Sequence, residues 1–131
     1  RDLHFMLQRE VVERMVAKPS TPDYGRLSVM LQVRFRMKKL FVVAPGAFRP
    51  PPKVESAIVR MEPIGQGELP HVDRQVLADL VRRAFSARRK TLRNALGLEP
   101  ADFEALGLDP MLRPENLAPA DYVRIAQLLD D

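Results

Sequence analysis

The part of the sequence that most restricts folding is a proline-rich stretch near the middle, Phe48-Arg49-Pro50-Pro51-Pro52-Lys53-Val54-Glu55-Ser56. Each proline fixes its own φ angle and favours an extended conformation in the residue before it. The stretch therefore predicts a stiff connection, with an aromatic ring at its entrance and a lysine and a serine at its exit. A ring held in this way suits stacking on a nucleic-acid base. An ordinary proline-rich connection with Phe48 in the core fits the same spacing.

The regions on either side of the proline stretch predict two strands. Residues 40–44 form a short, continuous apolar run, which predicts a strand buried on both faces. Residues 57–61 predict the second strand. Earlier in the chain, the apolar spacing from Leu3 to Met15 predicts a helix. Residues 27–36 predict another helix, although their β-branched residues also suit a strand.

A glycine- and proline-rich segment at residues 63–70 predicts a linker, and strand signals disappear after it. Four short helices are predicted beyond this point. The first has Asp73 as its N-cap, two end at Gly97 and Gly107, and the last begins at Pro119. The predicted parts are residues 1–62, the linker at 63–70 and a small helical domain at 71–131.

Charge is divided unevenly along the chain. Residues 1–93 hold 19 lysines and arginines against 9 aspartates and glutamates, whereas residues 94–131 hold 2 against 8. Such a basic region suggests a polyanionic partner, most simply a nucleic acid. A solvated charged face with internal ion pairs is the alternative, but we expect no carboxylates at helical spacing to neutralise these clusters. The basic residues form two clusters: Arg82, Arg83, Arg88, Arg89, Lys90 and Arg93, and Arg34, Arg36, Lys38 and Lys39. The candidate contacts within them are Arg88, Arg89, Lys90 and Arg93 in the first cluster and Arg34 and Lys38 in the second.

Several chemistries are not expected from this composition. The sequence has no cysteine, which excludes disulfides, thiolate metal sites and cysteine nucleophiles. His4 and His71 are its only histidines, and their spacing matches no metal-binding motif. The sequence contains no run of about 18 apolar residues, so we expect no membrane span, and no secretory leader is visible. We therefore expect a cytoplasmic protein without a metal.

Several motifs, in the right order, resemble those of the ribosomal RNA adenine dimethyltransferases. The proline stretch with residues 57–61 is similar to that family's F-x-P-x-P-K-V-x-S-A-hydrophobic-V-R signature. Residues 7–12 and 24–30 resemble its M-L-Q-K-E-V-V and Y-G-R-L-S-V-M runs. Residues 85–96 resemble F-x-x-R-R-K-T-L-R-N-x-L, and residues 113–117 fit its tail motif. The resemblance covers nearly the whole chain and is greatest to the bacterial small-subunit branch.

The resemblance implies an α/β fold: the C-terminal part of a Rossmann-like S-adenosylmethionine-dependent methyltransferase domain, followed by a small all-α domain. The intact enzyme would use S-adenosylmethionine to dimethylate two adjacent adenines near the 3′ end of small-subunit rRNA during ribosome assembly. Its partner would be this rRNA or a 30S assembly intermediate. The two strands predicted in residues 1–62 are too few for an independent core. We expect this part to lean on a preceding half of the protein or on a second copy of itself.

The resemblance also assigns roles to the proline stretch. Phe48 is implied to stack on the target adenine as one of two stacking partners. Pro50, Pro52, Lys53 and Ser56 would support this loop, Lys53 by meeting a phosphate or bracing the loop and Ser56 by capping it. Purely structural roles for Lys53 and Ser56 fit equally well.

The family's glycine-rich cofactor loop and its N-L-P-Y-type catalytic loop are not found in this sequence. We therefore expect the chain by itself to bind no cofactor and to be inactive. A non-catalytic RNA-binding or ribosome-assembly module is the main alternative function. A small DNA-binding domain built from residues 72–131 is a third, but the acidic helices that follow its basic segment argue against it.

Overall fold

The computed structural model describes residues 2–47, 49–50, 53–65 and 67–130, and shows a small antiparallel sheet beside a group of helices. The strands are β1 (Leu3–Gln8), β2 (Phe35–Val43) and β3 (Ser56–Pro63). The helices are α1 (Arg9–Val16), α2 (Arg26–Gln32), α3 (Arg74–Ser86), α4 (Leu92–Leu96), α5 (Pro100–Leu106) and α6 (Pro119–Asp130). Short 3-10 turns lie at Pro45–Ala47 and Pro114–Asn116. The mixed α/β class expected from the sequence is confirmed at this level.

β3 is the central strand and pairs antiparallel with both neighbours, in the order β1-β3-β2. One face of the sheet packs on α1, which is amphipathic. Alternate residues of β3 point into this small core, as the twofold period of a strand requires. The buried members of the core are Val12, Met15, Ala57, Val59 and Met61.

The other face of the sheet has no covering element among the described residues. The strand register places Met6, Ile58 and Phe41 in one row across the three strands. Met6 is 51% exposed and Phe41 is 58% exposed. The row is therefore an apolar surface open to solvent.

Three predictions about this region are wrong. Leu3–Gln8 forms strand β1 and the helix begins only at Arg9, because pairing with β3 decides between two structures that both fit the apolar spacing. Residues 40–44 are not buried on both faces: Phe41 is 58% exposed, because no described element covers the outer face of the sheet. α2 ends at Gln32, and Phe35, predicted as helical, begins β2.

A second, larger core joins α2 to the helices that follow the linker. Tyr24 is 1% exposed and Val29 is fully buried, and both belong to the cluster formed by α3 to α6. The Tyr24 hydroxyl donates a hydrogen bond to the Leu117 carbonyl, 2.5 Å away. Residues that precede the predicted linker therefore complete the core of the helical part. The division into residues 1–62 and 71–131 stays a prediction.

The predicted helix ends are confirmed. The Asp73 carboxylate accepts hydrogen bonds from the backbone N–H groups of Gln75 and Val76, at 2.8 and 3.1 Å. Gly97 and Gly107 end α4 and α5 with φ angles of 65° and 68°, a left-handed conformation that favours glycine. Among the described helices, none has the length and apolar character needed to cross a membrane.

Candidate nucleic-acid interface

The proline stretch connects β2 to β3 at one end of the sheet. Val43 and Ser56 lie opposite each other in the ladder, so the connection leaves and re-enters the sheet at paired positions. It begins with the 3-10 turn at Pro45–Ala47. Phe48 and Pro52, the predicted stacking residue and one of its supports, lie outside the described residues, and their roles stay predictions.

The other predicted supports fall within the described part of the connection. Pro50 and Lys53 are exposed, and Lys53 lies in a bend. Ser56 is half-buried and begins β3, paired through its backbone with Gln8 and Val43. Ser56 therefore lies where the loop rejoins the sheet. This position fits the purely structural role that the sequence left open for it.

A group of ion pairs that the sequence did not indicate holds the exit of this connection. Arg9, the first residue of α1, contacts Glu55 through Nη1 at 2.7 Å and Glu13 through Nε at 2.8 Å. Lys39 of β2 adds a contact with Glu13 at 3.3 Å. The hydrogen bonds that Arg9 donates to Glu13, and then to Glu55, raise the pKa of Arg9, and the hydrogen bonds that Glu13 accepts from Arg9 and Lys39 lower the pKa of Glu13. Arg9 and Glu55 are 46 residues apart, a distance at which sequence spacing carries no signal.

Three of the predicted basic contacts, Arg88, Arg89 and Lys90, lie in the turn between α3 and α4. Arg88 differs from its neighbours because it is tied into the protein. Its Nη2 donates to the Tyr24 carbonyl at 2.6 Å, and its guanidinium lies 5.4 Å from the centre of the Phe85 ring. Phe85 in turn packs edge-on against Tyr24, with ring centres 6.0 Å apart. Arg88 therefore links the basic turn to the segment before α2.

The remaining basic side chains of this region point to solvent. Arg89 and Lys90 in the turn and Arg93 in α4 are exposed, and no ion pair involves them within the described ranges. Arg82 does pair with Asp79 at helical spacing, 3.6 Å away, so the expectation that no such carboxylate is present is wrong for that residue. Three cations are thus free to meet an anionic partner.

The second predicted cluster is partly neutralised. Arg36 pairs with Glu62 and Glu68 at 3.5 and 3.2 Å. Arg34 and Lys38 are exposed and form no ion pair with any residue that the structure describes. Lys38 stands on the uncovered face of the sheet, opposite Arg60 in the register. This cluster therefore presents two free cations on a different element from the basic turn.

The described residues do not fit a nucleotide-like cofactor. A phosphate- or nucleoside-binding loop brings glycine backbone close to its ligand or to a packed helix. An added Cβ at Gly46, Gly65 or Gly67 would meet nothing within 4 Å, so the close packing of a helix that such a loop requires is absent at these glycines. The carboxylates of Glu13 and Glu55 are held by Arg9. In the part of the chain that is described, no group of three or more histidine or carboxylate side chains could hold a metal ion.

Comparison with solved structures defines the class of fold. The chain is similar to a dimethyladenosine transferase from Plasmodium falciparum, with a TM-score of 0.85, 24% identity, and coverage of 99% of this chain and 57% of that one. It is also similar to the 23S rRNA methyltransferase ErmE, with a TM-score of 0.63, 22% identity, and coverage of 99% and 55%. The fold is therefore that of a large part of these proteins.

Sequence comparison then gives the family. The model of the protein family described as "Ribosomal RNA adenine dimethylase" matches residues 1–131. Two relatives carry the name "Ribosomal RNA small subunit methyltransferase A". The one from Thiobacillus denitrificans is 60% identical over 131 residues, which cover 98% of this chain. The one from Chromobacterium violaceum is 60% identical over 132 residues, which cover 99% of this chain. The chain belongs to the ribosomal RNA adenine dimethylase family, as its motifs predict. It spans about half the length of these relatives, 51% and 50%.

Proposed function

We propose that this chain is the target-facing, C-terminal portion of an S-adenosylmethionine-dependent rRNA adenine N6-dimethyltransferase. The enzyme would methylate two adjacent adenines near the 3′ end of 16S rRNA during ribosome biogenesis in the cytoplasm. The observation that carries the proposal is the family match over all 131 residues. The order of the motifs supports the C-terminal placement.

The proline stretch would hold the target base. The lone pair of adenine N6 is delocalised into the ring, so transfer of a methyl group depends mostly on positioning of the extruded base. Phe48 would stack on that base, an interaction worth roughly 1–3 kcal/mol. Pro50 and Pro52 would stiffen the loop, and Lys53, which is exposed, would meet a phosphate.

The exposed cations would bind the RNA backbone. Arg89, Lys90 and Arg93 are free of ion pairs in the described structure, so they can exchange counterions for phosphates without breaking internal contacts. Arg34 and Lys38 would extend the contact. Arg88 would orient the turn and keep donors for a phosphate. The partner would be small-subunit rRNA, alone or in a 30S assembly intermediate.

The rest of the chemistry would be supplied by the other half of the enzyme. The described residues do not fit S-adenosylmethionine, which would donate the methyl group, so the isolated chain is expected to be inactive. The edges of the three-stranded sheet, which are unpaired among the described residues, support its continuation into a Rossmann-like domain, and the uncovered face with Met6 and Phe41 supports a further layer packed over it. In the isolated chain the same face would favour self-association.

The test uses the full-length protein that carries this chain, S-adenosylmethionine labelled in its methyl group, and small ribosomal subunits lacking the modification. We expect two dimethylated adenines near the 3′ end of 16S rRNA. Phe48→Ala should lower the methylation rate by about 5- to 150-fold, as loss of 1–3 kcal/mol of stacking requires, and should leave rRNA affinity within about threefold. Equal losses of rate and affinity would contradict the stacking role.

A non-catalytic RNA-binding or assembly module is the second candidate. Two observations favour it. Arg89, Lys90 and Arg93 are exposed and free of ion pairs in the described structure, and the described glycines do not form a cofactor-binding loop. Calorimetric titration separates this module from the methyltransferase. The full-length protein is titrated with S-adenosylmethionine, and in parallel with structured rRNA, single-stranded RNA and duplex DNA at matched salt. Binding of rRNA without binding of the cofactor would favour the module.

A further inference from the structure

We propose that Arg9 is a positioning residue that fixes the exit of the proline stretch against the start of α1. The inference rests on the proposed function in one respect, namely that the stretch holds the target base. Arg9 would act through Glu55 and would not touch the RNA itself.

Two contacts join the two segments, and further contacts hold the Arg9 side chain in place. The Arg9 guanidinium contacts the Glu55 carboxylate at 2.7 Å through Nη1. The backbone N–H of Arg9 donates to the Glu55 carbonyl at 2.9 Å. Nε of the same guanidinium contacts Glu13 at 2.8 Å, so the side chain is held at two points and cannot swing freely. Lys39 contacts the same Glu13 oxygen at 3.3 Å, which ties the arrangement to β2 as well.

The helix dipole does not account for an arginine at this position. The N-terminus of a helix carries partial positive charge and favours carboxylates over cations. Arg9 is the first residue of α1, and Gln8 before it makes no side-chain capping hydrogen bond. The cation therefore stands where the helix disfavours it, and its two carboxylate partners compensate.

The contacts matter because of where they act on the connection. At the entrance, β2 and the turn at Pro45–Ala47 hold the chain. At the exit, Lys53 and Val54 lie in an exposed bend just before Glu55. Without the Arg9 side chain, a single backbone hydrogen bond would hold that bend against α1. Displacement of a reacting group by about 1 Å can cost up to about 100-fold in rate.

The experiment compares variants of the full-length protein. Arg9→Gln and Glu55→Gln remove the charged contact, and Arg9→Glu combined with Glu55→Arg restores it with reversed polarity. Glu10→Gln is the matched control, because it weakens the Arg14–Glu10 pair of α1, which has the same 2.7 Å length and joins two residues of the helix rather than the helix and the loop. The readouts are kcat and KM for methylation of small subunits, and hydrogen exchange of a peptide covering residues 49–57.

We expect Arg9→Gln and Glu55→Gln to lower kcat by about 3- to 10-fold with KM changed less than twofold, since the loss is one of alignment and not of RNA binding. Exchange of the loop peptide should accelerate in both, and the reversed pair should recover part of kcat, because a glutamate at position 9 would meet Glu55→Arg but would repel Glu13. Glu10→Gln should change neither readout. Equal kcat and equal exchange in Arg9→Gln and Glu10→Gln would overturn the inference.

Failure of the proposed function gives a different result. If the full-length protein without substitutions methylates no adenine, the catalytic proposal fails. Hydrogen exchange of the loop peptide still decides whether Arg9 holds the loop. If methylation proceeds and loop exchange is unchanged in Arg9→Gln, the proposed function stands and the role of Arg9 is rejected.

Discussion

Arg88 and Lys90 stand two residues apart in one basic turn, yet they have different surroundings. Arg88 donates to the Tyr24 carbonyl and lies over Phe85, whereas the Lys90 side chain is exposed. A hydrogen bond from a charged donor contributes about 1.5–3 kcal/mol, and an exposed cation–π contact about 0.5–1 kcal/mol. Partial compensation by water reduces these values, because Arg88 itself is exposed.

We therefore expect Arg88→Ala to lower the free energy of unfolding of the 131-residue chain by about 1–2 kcal/mol, and Lys90→Ala to change it by less than about 0.5 kcal/mol. Urea unfolding measures both. Lys90→Ala should instead reduce the slope of log affinity for rRNA against log salt by about one. Equal effects of the two substitutions on stability would contradict the link between Arg88 and Tyr24.

Two buried tyrosines give the helical core a pH dependence. Burial raises the pKa of the Tyr24 and Tyr122 hydroxyls well above the ordinary value of about 10. Both hydroxyls donate to backbone carbonyls, of Leu117 and Pro114. The unfolded chain releases these protons near pH 10 while the folded chain keeps them, so their contribution is complete below pH 10 and falls as the pH rises above it.

We expect the free energy of unfolding to fall above pH 10, by up to about 1.4 kcal/mol per pH unit for each tyrosine. Tyr24→Phe should be less stable at neutral pH, because the hydrogen bond to Leu117 is lost, but its pH slope above 10 should be shallower. Urea unfolding at pH 8 to 11.5 measures the slopes. Since lysines also titrate in this range, the difference between the two proteins is the informative quantity, and identical slopes would contradict the prediction.

At the scale of elements, the helix α3 depends on its cap. Asp73 accepts hydrogen bonds from two of the N–H groups that a helix start leaves unpaired. Asp73→Ala should lower the free energy of unfolding by about 0.5–2 kcal/mol. Asp79→Ala is the control within the same helix, because its exposed pair with Arg82 contributes about 0–1 kcal/mol. Thermal unfolding of both variants checks this, and equal shifts would mean that the cap is not the cause.

The helix ends could be predicted from the sequence because they depend on residues that are adjacent along the chain. Asp73, Gly97 and Pro119 mark helix ends through local chemistry, and the structure confirms all three. β1 could not be predicted, because its apolar spacing fits a helix and only pairing with β3 selects a strand.

The same reasoning separates what could and could not be foreseen at the site. The free cations Arg89, Lys90 and Arg93 follow from a run without acids, since no neighbour along the chain can pair with them. The contacts of Arg9 with Glu55 and of Arg88 with Tyr24 join residues 46 and 64 positions apart. Such pairs depend on the tertiary fold, so no spacing rule indicates them.

At the scale of the whole molecule, the two cores are unequal. The helical core is the larger one and takes in Tyr24 and Val29 from the first part of the chain. The sheet core is small and one-sided, and Met6, Phe41 and neighbouring apolar side chains face solvent. Monomeric proteins rarely expose contiguous apolar patches of large area. The free backbone of an edge strand adds a template for pairing with another chain.

We therefore expect the 131-residue chain to self-associate through its sheet. Met6→Lys should raise the dissociation constant by about tenfold or more, because burial of a methionine side chain contributes about 1.5–3 kcal/mol and each 1.4 kcal/mol is a factor of ten. Met111→Lys makes the same substitution on the helical part, where Met111 is 67% exposed, and should leave association unchanged. Sedimentation equilibrium over a range of concentrations measures all three proteins. A chain that stays monomeric at the highest concentration, or an equal effect of the two substitutions, would show that the sheet face is not the contact.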